Sequence, residues 1–266
     1  MGRMAGASFL VGMGQILVEF GKPEQNLARA VRAIEEGAEQ GCRIVVLPEC
    51  LDLGWTFPEA PRFAQPIPGP RSDVLAVAAA CAGIYVVAGL TERAGHRTYN
   101  AAALVDPRGE ILAKHRKINE LDIGRSYYAT GDRLGVTETP LGVIGLNICA
   151  DNFPESLVLG HSLARMGCQL LLSPCAWAVD AGHDDSRDPY GALWMESYTE
   201  LTRLHDLTVI GVSNVGWLTG GPWKGKKCIG ASLAVGPGGR VLARGPYGDS
   251  AEALVPIEVT AGQALT

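Results

Sequence analysis

ALVDPRGEILAK occupies Ala103–Lys114, and LAVGPGGRVLAR occupies Leu233–Arg244, about half a chain later. The two stretches align without a gap. A second pair, GCRIVVLPE over Gly41–Glu49 and GCQLLLSPC over Gly167–Cys175, aligns in the same order. One match between short apolar strands can arise by chance, whereas two matches in the same order indicate a duplication. The sequence therefore predicts an internal pseudo-twofold repeat.

The predicted elements follow the same order in both halves of the chain, which span roughly residues 9–118 and 141–258. Short apolar runs between turn signals predict strands, and apolar residues spaced three and four apart predict helices. The first half gives a strand (9–15), a helix (24–40), a strand (43–47), a helix capped by Ser72 and ending at Ala82, a strand (84–90) and a hairpin around 106–109. The second half gives a strand (143–148), a helix (154–166), a strand (169–172), a helix (190–204), a strand (208–213) and a hairpin around 236–239.

This order of elements predicts the architecture. In each half the helices cover one face of a sheet and leave the other face free, and two such halves bury their free faces by stacking sheet on sheet. The fold class is therefore α/β (α+β), as a four-layer α-β-β-α sandwich. Because neither half is covered alone, we expect one domain over residues 1–266.

Composition restricts the classes of partner. The chain has 47% apolar and 19% charged residues, a net charge of −5 and no basic run, so nothing favours binding to nucleic acid. No stretch approaches the length of a membrane span. The apolar run Met4–Val18 after Arg3 predicts a short leader and a buried first strand rather than a signal peptide, because no small-residue cleavage site follows it.

Cysteine usage indicates the compartment. The seven cysteines are odd in number and none forms a C-x-x-C pair, which argues against a disulfide framework and against a zinc site. We therefore expect a cytoplasmic protein without a metal centre.

The stretch LGVIGLNICADNFPE (141–155) carries the first candidate for chemistry. Its apolar run stops at Cys149, and Asp151 with Asn152 are good helix N-caps. A cysteine between a strand end and a helix N-terminus lies where backbone N–H groups favour a thiolate, which predicts a nucleophile. The alternative is that Cys149 is a small buried hydrophobic residue.

Two more polar residues each follow an apolar strand. Glu49 ends the second strand, and Lys117 ends the hairpin of the first half. Since strand ends are where sites collect, these residues and Cys149 could share one cleft. A carboxylate with a raised pKa can take the thiol proton, and an ammonium can stabilise an oxyanion together with the backbone N–H of Ala150. Taken singly, the alternatives are a loop cap for Glu49, a solvated hairpin residue for Lys117 and packing for Cys149.

The motifs along nearly the whole chain resemble those of the carbon–nitrogen hydrolases of the nitrilase superfamily. The resemblance rests on Gln15 with Asn26, VVLPE (45–49), Gly54-Trp55, YNAAALVDPRG (99–109), HRKI (115–118), YYATGD (127–132), GLNICADNFPE (145–155), SPCAW (173–177), SNVG (213–216) and GASLAVGPGG (230–239). It implies the sandwich predicted above, and it implies an assembly into homodimers or higher homo-oligomers through helices near the nucleophile.

The resemblance also implies roles. Glu49 is expected to be the general base, Lys117 the cation that stabilises the oxyanion, and Cys149 the nucleophile. The expected reaction is hydrolysis of a non-peptide C–N bond in a small linear amide or carbamoyl compound. It releases ammonia or an amine, proceeds through a thioester at Cys149 and needs no metal or organic cofactor. Trp177 aligns with residues that line the substrate pocket in relatives, although a core tryptophan is an equally good interpretation.

Two departures from the family pattern bear on the substrate. Many relatives carry a second glutamate where this chain has Gly124, so either Glu120 reaches in from a reshaped loop or the fourth residue is absent; Asp122 is a weaker candidate. CADNFPE is also one residue shorter than the usual amidase pattern, and the Cys-Trp-Glu of true nitrilases is missing, which favours amides over nitriles. Two alternative functions stay open, an acyltransferase that uses the same thioester and a non-catalytic binding or regulatory protein.

Overall fold

The computed structural model describes residues 8–260, and over this range the chain forms fifteen strands and five α-helices. The strands are β1 (Ser8–Gln15), β2 (Cys42–Val46), β3 (Tyr85–Ala94), β4 (Arg97–Val105), β5 (Ile111–Arg116), β6 (Val136–Thr139), β7 (Gly142–Leu146), β8 (Leu170–Cys175), β9 (Ala178–Val179), β10 (Thr208–Ser213), β11 (Val215–Trp217), β12 (Lys227–Ile229), β13 (Leu233–Gly236), β14 (Arg240–Arg244) and β15 (Ala253–Thr260). The helices are α1 (Pro23–Glu39), α2 (Ala60–Phe63), α3 (Pro70–Ala82), α4 (Val158–Arg165) and α5 (Ala192–Leu204). Three short 3₁₀ turns cover Cys149–Asn152, Pro154–Ser156 and Pro237–Gly239.

Two six-stranded sheets repeat one topology. Their strand orders are β15-β1-β2-β3-β4-β5 and β6-β7-β8-β10-β13-β14. In both sheets the first pair is antiparallel, the next two pairs are parallel and the last two pairs are antiparallel. The duplication seen in sequence therefore extends to the direction of every strand.

Alternate residues of β2 show how the layers are arranged. Ile44 and Val46 belong to the core that also contains Leu170 and Leu172 of β8, whereas Val45 packs in a second core with α1 and α3. Because successive strand residues point to opposite faces, the first sheet meets the second sheet on one side and helices on the other. The predicted α-β-β-α sandwich is confirmed.

Three features of the fold were not predicted. β15 pairs with β1 and so joins the first sheet from the far end of the chain, and β6 forms the matching edge of the second sheet. A small third sheet of β11, β12 and β9 lies outside the repeat. The short helix α2 interrupts the loop between β2 and α3.

The helix predicted over residues 154–166 is wrong at its start. The α-helix begins only at Val158, after two 3₁₀ turns. Phe153 is extended, with φ −65° and ψ 151°, because it precedes Pro154 and the proline ring disfavours a helical conformation there. Ser72 is likewise not the N-cap of its helix. It is the third helical residue, and its Oγ accepts a hydrogen bond from the N–H of Gly69 at 2.9 Å.

None of the helices between residues 8 and 260 is long and apolar enough to cross a membrane. The predicted leader before residue 8 lies outside the described residues.

Candidate active site

Strand ends bring the three predicted residues together. Glu49 and Cys149 each lie three residues beyond a parallel strand, β2 and β7, and Lys117 directly follows β5. All three line one cavity of about 170 Å³. The N–H of Glu49 donates to the carbonyl of Cys175 at 3.1 Å, so the end of β2 is held against the end of β8 in the opposite sheet.

Gly89 of β3 makes room for Glu49. A Cβ on Gly89 would lie 2.5 Å from the Glu49 Cα and 2.6 Å from the Pro48 carbonyl oxygen. The Gly89 N–H donates to that same oxygen at 3.0 Å. Only glycine allows the two segments to approach this closely, which fixes the backbone that carries Glu49.

Two carboxylates share one ammonium in the buried centre of the site. Lys117 Nζ donates to Glu49 Oε1 at 2.7 Å and to Glu120 Oε1 at 3.3 Å. The Asn100 amide donates to Glu49 Oε1 and to Glu120 Oε2, and Trp55 Nε1 donates to Glu120 Oε1 at 3.2 Å. Glu49, Glu120 and Lys117 are each at most 2% exposed, so these interactions act with little screening by water.

Burial and charge set the protonation of this group. Burial raises the pKa of Glu49, and the Glu120 charge adds to that, while Lys117 opposes it. Burial alone would lower the pKa of Lys117, but the carboxylates of Glu120 and Glu49 outweigh it and raise that pKa well above its usual value. The charged form of Lys117 is therefore favoured, and Glu49 takes up a proton more readily than an exposed carboxylate.

Cys149 has an unusual backbone conformation. Its φ is +45°, in the left-handed region that non-glycine residues rarely adopt. The Cys149 N–H donates to Ser173 Oγ at 3.1 Å, which ties the turn to β8. Strained residues of this kind persist where the surroundings hold them, and they cluster at active sites.

The expectation of a Cys149 thiolate stabilised by a helix N-terminus is wrong. Cys149 begins a 3₁₀ turn, and the α-helix starts nine residues later at Val158. The pKa of Cys149 is raised well above its usual value, first by its interaction with the Cys175 thiol, then by burial and by the Glu49 charge, against which Lys117 acts. The raised pKa favours the thiol form, so formation of the thiolate calls for a base.

Asp151 joins the turn of Cys149 to the loop after Lys117. Its Oδ1 accepts from the N–H groups of Ile118 and Asn119 at 3.0 and 2.7 Å. Its Oδ2 accepts from the Ile148 N–H at 2.9 Å and lies 2.8 Å from His115 Nε2. Burial alone would raise the pKa of Asp151, but His115 and these N–H groups lower it. Two segments that carry candidate catalytic residues are thus fixed by one carboxylate.

The other predicted residues differ in whether they lie at the cavity. Trp177 is buried, lines the cavity and stacks on Trp194 with ring centroids 4.8 Å apart. Ala150 is fully buried beside Cys149 and is not among the described residues that line the cavity. Glu120 lies beside Lys117, whereas Asp122 is on the surface with 92% of its side chain exposed.

Sequence reasoning missed several residues of the site. Asn100 bridges the two carboxylates, and its place in the YNAAAL motif was the available signal. Trp55 was noted in the Gly54-Trp55 pair without a role. The remaining aromatic residues of the cavity come from three parts of the chain: Phe153, Tyr190 with Trp194, and Trp223. The stretch 217–228, which is Gly-rich, aromatic and basic, predicts either a pocket loop or an exposed loop, and Trp223 of this stretch lines the cavity.

Comparison with known proteins gives a family and several relatives. A family model described as carbon-nitrogen hydrolase matches residues 10–261. The omega-amidase NIT2 of Xenopus tropicalis is 36% identical over 187 residues, which cover 66% of this chain and 66% of that protein, just under two thirds of its length. A nitrilase of Pyrococcus abyssi is 32% identical over 229 residues, which cover 84% of this chain and 79% of that protein.

Solved structures show the same fold. A double mutant of the amidase from Nesterenkonia sp. AN1 in complex with acrylamide superposes with a TM-score of 0.78 at 22% identity, over 96% of this chain and 91% of that one. A carbon-nitrogen hydrolase from Helicobacter pylori gives a TM-score of 0.82 at 20% identity, over 95% and 89% of the two chains. The family match spans both sheets and every strand end that lines the cavity, and it leads to one conclusion: this chain belongs to the carbon–nitrogen hydrolase family.

Proposed function

We propose that this protein is a cysteine-dependent amidase that hydrolyses the C–N bond of a small linear amide or carbamoyl compound. One observation carries the proposal: Glu49, Lys117 and Cys149 line a single buried cavity, with the Lys117 ammonium 2.7 Å from Glu49. These three side chains supply a nucleophile, a base with a raised pKa and a fixed cation, the set that acyl transfer through a thioester requires.

In the first half of the reaction, Cys149 Sγ attacks the amide carbon. Glu49 accepts the thiol proton; both of its hydrogen bonds from described residues fall on Oε1, which leaves Oε2 for this transfer. Lys117 stabilises the oxyanion as the C=O bond becomes C–O⁻. When the oxyanion collapses, the C–N bond breaks, Glu49 protonates the leaving nitrogen, and the acyl group stays on Cys149 as a thioester.

In the second half, water attacks the thioester carbon. Glu49 takes a proton from the water, Lys117 again holds the oxyanion, and the C–S bond breaks. Glu49 returns the proton to Cys149 Sγ, and the carboxylic acid leaves. The raised pKa of Glu49 suits both directions of transfer, because a base whose pKa lies closer to the working pH also serves as the acid.

Glu120 is proposed as the fourth residue of the site. It accepts hydrogen bonds from Lys117, Asn100 and Trp55, and so fixes where the Lys117 ammonium lies relative to Glu49. Its role is to position Lys117 and to keep that lysine charged.

Ammonia release across a panel of amides tests the proposal. We expect turnover by the wild type and a loss of at least about 10³-fold in kcat for Cys149→Ala. Cys81→Ala is the matched control, because Cys81 is an exposed cysteine that does not line the cavity. Equal turnover by Cys149→Ala would rule out the mechanism.

Intact mass detects the thioester that both mechanisms share, and analysis of the products separates hydrolysis from acyl transfer. An acyl adduct on Cys149 is expected during turnover, and added hydroxylamine should intercept it as a hydroxamate. When an amine acceptor is added, a product that is mainly the acylated amine would favour the transferase. A product that is mainly the free carboxylic acid supports the hydrolase.

We also propose a homodimer or higher homo-oligomer in a reducing, cytoplasmic setting. Val158 of α4 and Leu204 of α5 are large apolar residues more than 60% exposed, on helices near Cys149, and all seven cysteines are free. Sedimentation of the wild type against Val158→Glu tests the assembly. A monomeric wild type would contradict it.

A further inference from the structure

Aromatic side chains make up half of the cavity beside Cys149. Twelve residues line it, and six of them are Trp55, Phe153, Trp177, Tyr190, Trp194 and Trp223. The three candidate catalytic residues and three aliphatic residues complete the lining. The part of the cavity that is left for the acyl group of a substrate is therefore formed by rings and methyl groups.

The rings form two separate walls. In one, Trp177 stacks on Trp194 at 4.8 Å with an angle of 22°, Phe153 lies 5.3 Å from Trp194, and Tyr190 Oη accepts a hydrogen bond from Trp194 Nε1 at 3.0 Å. In the other, Trp55 meets Trp223 edge to face at 4.9 Å. The two walls belong to different apolar clusters of the core. Each wall is held by its own ring contacts, so the space between them is preformed.

The lining offers no free cation. Among the described residues that line the cavity, Lys117 is the single positive charge, and Glu49 and Glu120 already share it. Two carboxylates against one ammonium give this group a formal charge of −1. Lys226 lies 5.1 Å from the Trp223 ring centroid, but it is paired with Asp180 at 2.8 Å and does not line the cavity. A carboxylate on the acyl group would therefore be buried without a cationic partner, next to excess negative charge.

The size of the cavity limits the acyl group. Its volume is about 170 Å³, and an apolar protein cavity of about 150 Å³ accommodates benzene. The same cavity also holds the amide group, because Glu49, Lys117 and Cys149 line it, so the acyl group is at most one six-membered ring or a branched aliphatic group of similar volume.

We infer that the acyl group of the substrate is uncharged, apolar and no larger than a single ring, and that Trp177, Trp194 and Trp223 select it. This inference rests on the proposed amidase function. It names the substrate class that the cavity would accept and the class that it would reject.

An isosteric series tests the inference with the wild-type enzyme. Isocaproamide, succinamate and protonated β-dimethylaminopropionamide share one shape and differ in charge. We expect kcat/KM for isocaproamide to exceed that for succinamate by at least about 100-fold, and that for the cationic amide by at least about tenfold. Phenylacetamide should be hydrolysed and naphthylacetamide should not. The inference would be overturned if a charged isostere had the same kcat/KM as isocaproamide. Equal rates for phenylacetamide and naphthylacetamide would also overturn it.

A variant with an added positive charge in the cavity wall gives a second test. Trp223→Arg adds a positive charge to the wall and should raise the ratio of succinamate to isocaproamide turnover by about tenfold. Trp217→Arg is the matched control, because Trp217 is 47% exposed and does not line the cavity, and its ratio should stay at the wild-type value. The same shift in both variants would show that the wall does not select charge.

Binding separates a failure of the inference from a failure of the proposed function. Calorimetric titration of Cys149→Ala with isocaproamide and succinamate reports selection without turnover. If no amide is hydrolysed by the wild type but isocaproamide alone binds, the amidase function fails and the inference on the acyl group stands. If succinamate binds as tightly as isocaproamide, the inference fails whether or not amides are hydrolysed.

Discussion

Glu120 Oε1 lies 2.5 Å from the point that a Cβ on Gly124 would occupy. The carboxylate of Glu120 and a side chain at position 124 therefore exclude each other. This chain has a carboxylate three residues after Lys117 and no side chain at position 124. Glu120 can occupy its position beside Lys117 because residue 124 is a glycine and has no Cβ.

Substitution of Gly124 by alanine should displace Glu120 and impair the enzyme. Gly124 has no left-handed backbone angle, so alanine adds only the clash with the carboxylate. Because a misplacement of about 1 Å can cost up to 10²-fold in rate, we expect kcat to fall by roughly 10- to 100-fold. Gly135→Ala is the control, since nothing lies within 4 Å of a Cβ there. Wild-type kcat in Gly124→Ala would show that the position of Glu120 is irrelevant.

Glu120→Gln should move the acid limb of the pH–rate profile to lower pH. Burial raises the pKa of Glu49 in the wild type, and the charge of Glu120 raises it further. A base works when it is deprotonated, so activity is lost as pH falls through this raised pKa. Removal of the Glu120 charge lowers the pKa of Glu49 and shifts that loss to lower pH. The kcat/KM profile between pH 4 and pH 8 measures it, and a shift to higher pH would contradict the interaction.

Cys175→Ala should make Cys149 more acidic. The interaction with the Cys175 thiol is the largest cause of the raised pKa of Cys149. Without it, the thiolate forms at lower pH, and the midpoint of alkylation rate against pH moves down. The measurement uses a Cys81→Ala background to remove the exposed thiol. Cys168→Ala removes another buried thiol of the same core and should leave the midpoint unchanged.

Asp151→Asn should reduce both stability and activity. Asp151 accepts hydrogen bonds from three backbone N–H groups and contacts His115, all in the buried interior. Loss of one partner from a buried charged network costs about 3 kcal/mol in the free energy of unfolding. Urea denaturation at pH 7 measures this cost. Asp122→Asn, on the surface, should stay within about 0.5 kcal/mol of the wild type.

The strands in the middle of both sheets could be predicted because their signals are local. β2, β7, β8 and β10 are short apolar runs that end at turn residues, and each was predicted within a few residues of its bounds. The edge strands β6 and β15 are partly exposed and mixed in character. β15 pairs with a strand more than 200 residues away, a contact that no local pattern encodes. The internal repeat carries a signal for these two edge strands, because an outer strand beside the first strand of one sheet implies an equivalent strand in the other.

The residues of the candidate site also divide into those that local sequence patterns predict and those that depend on packing. Glu49, Lys117 and Cys149 each follow a predicted strand, so their convergence in one cavity follows from topology. Trp55, Trp194 and Trp223 approach the cavity from a loop, a helix and another loop, and their convergence depends on packing. The raised pKa of Cys149 depends on Cys175, which the repeat aligns with Glu49 but which looks like inert packing in the sequence.

Gly89→Ala should destabilise the protein and disturb the base. A Cβ at this position would lie 2.5 Å from the Glu49 Cα, a contact with backbone that no side-chain rotation relieves. Overpacking of this kind costs about 1–3 kcal/mol, and here it pushes on the residue proposed to move the protons. We expect a lower urea midpoint and, among molecules that remain folded, a lower kcat with KM nearly unchanged. Gly135→Ala again provides the comparison. If Gly89→Ala loses stability but keeps full kcat, the position of Glu49 tolerates the shift, and the close approach of β3 serves folding alone.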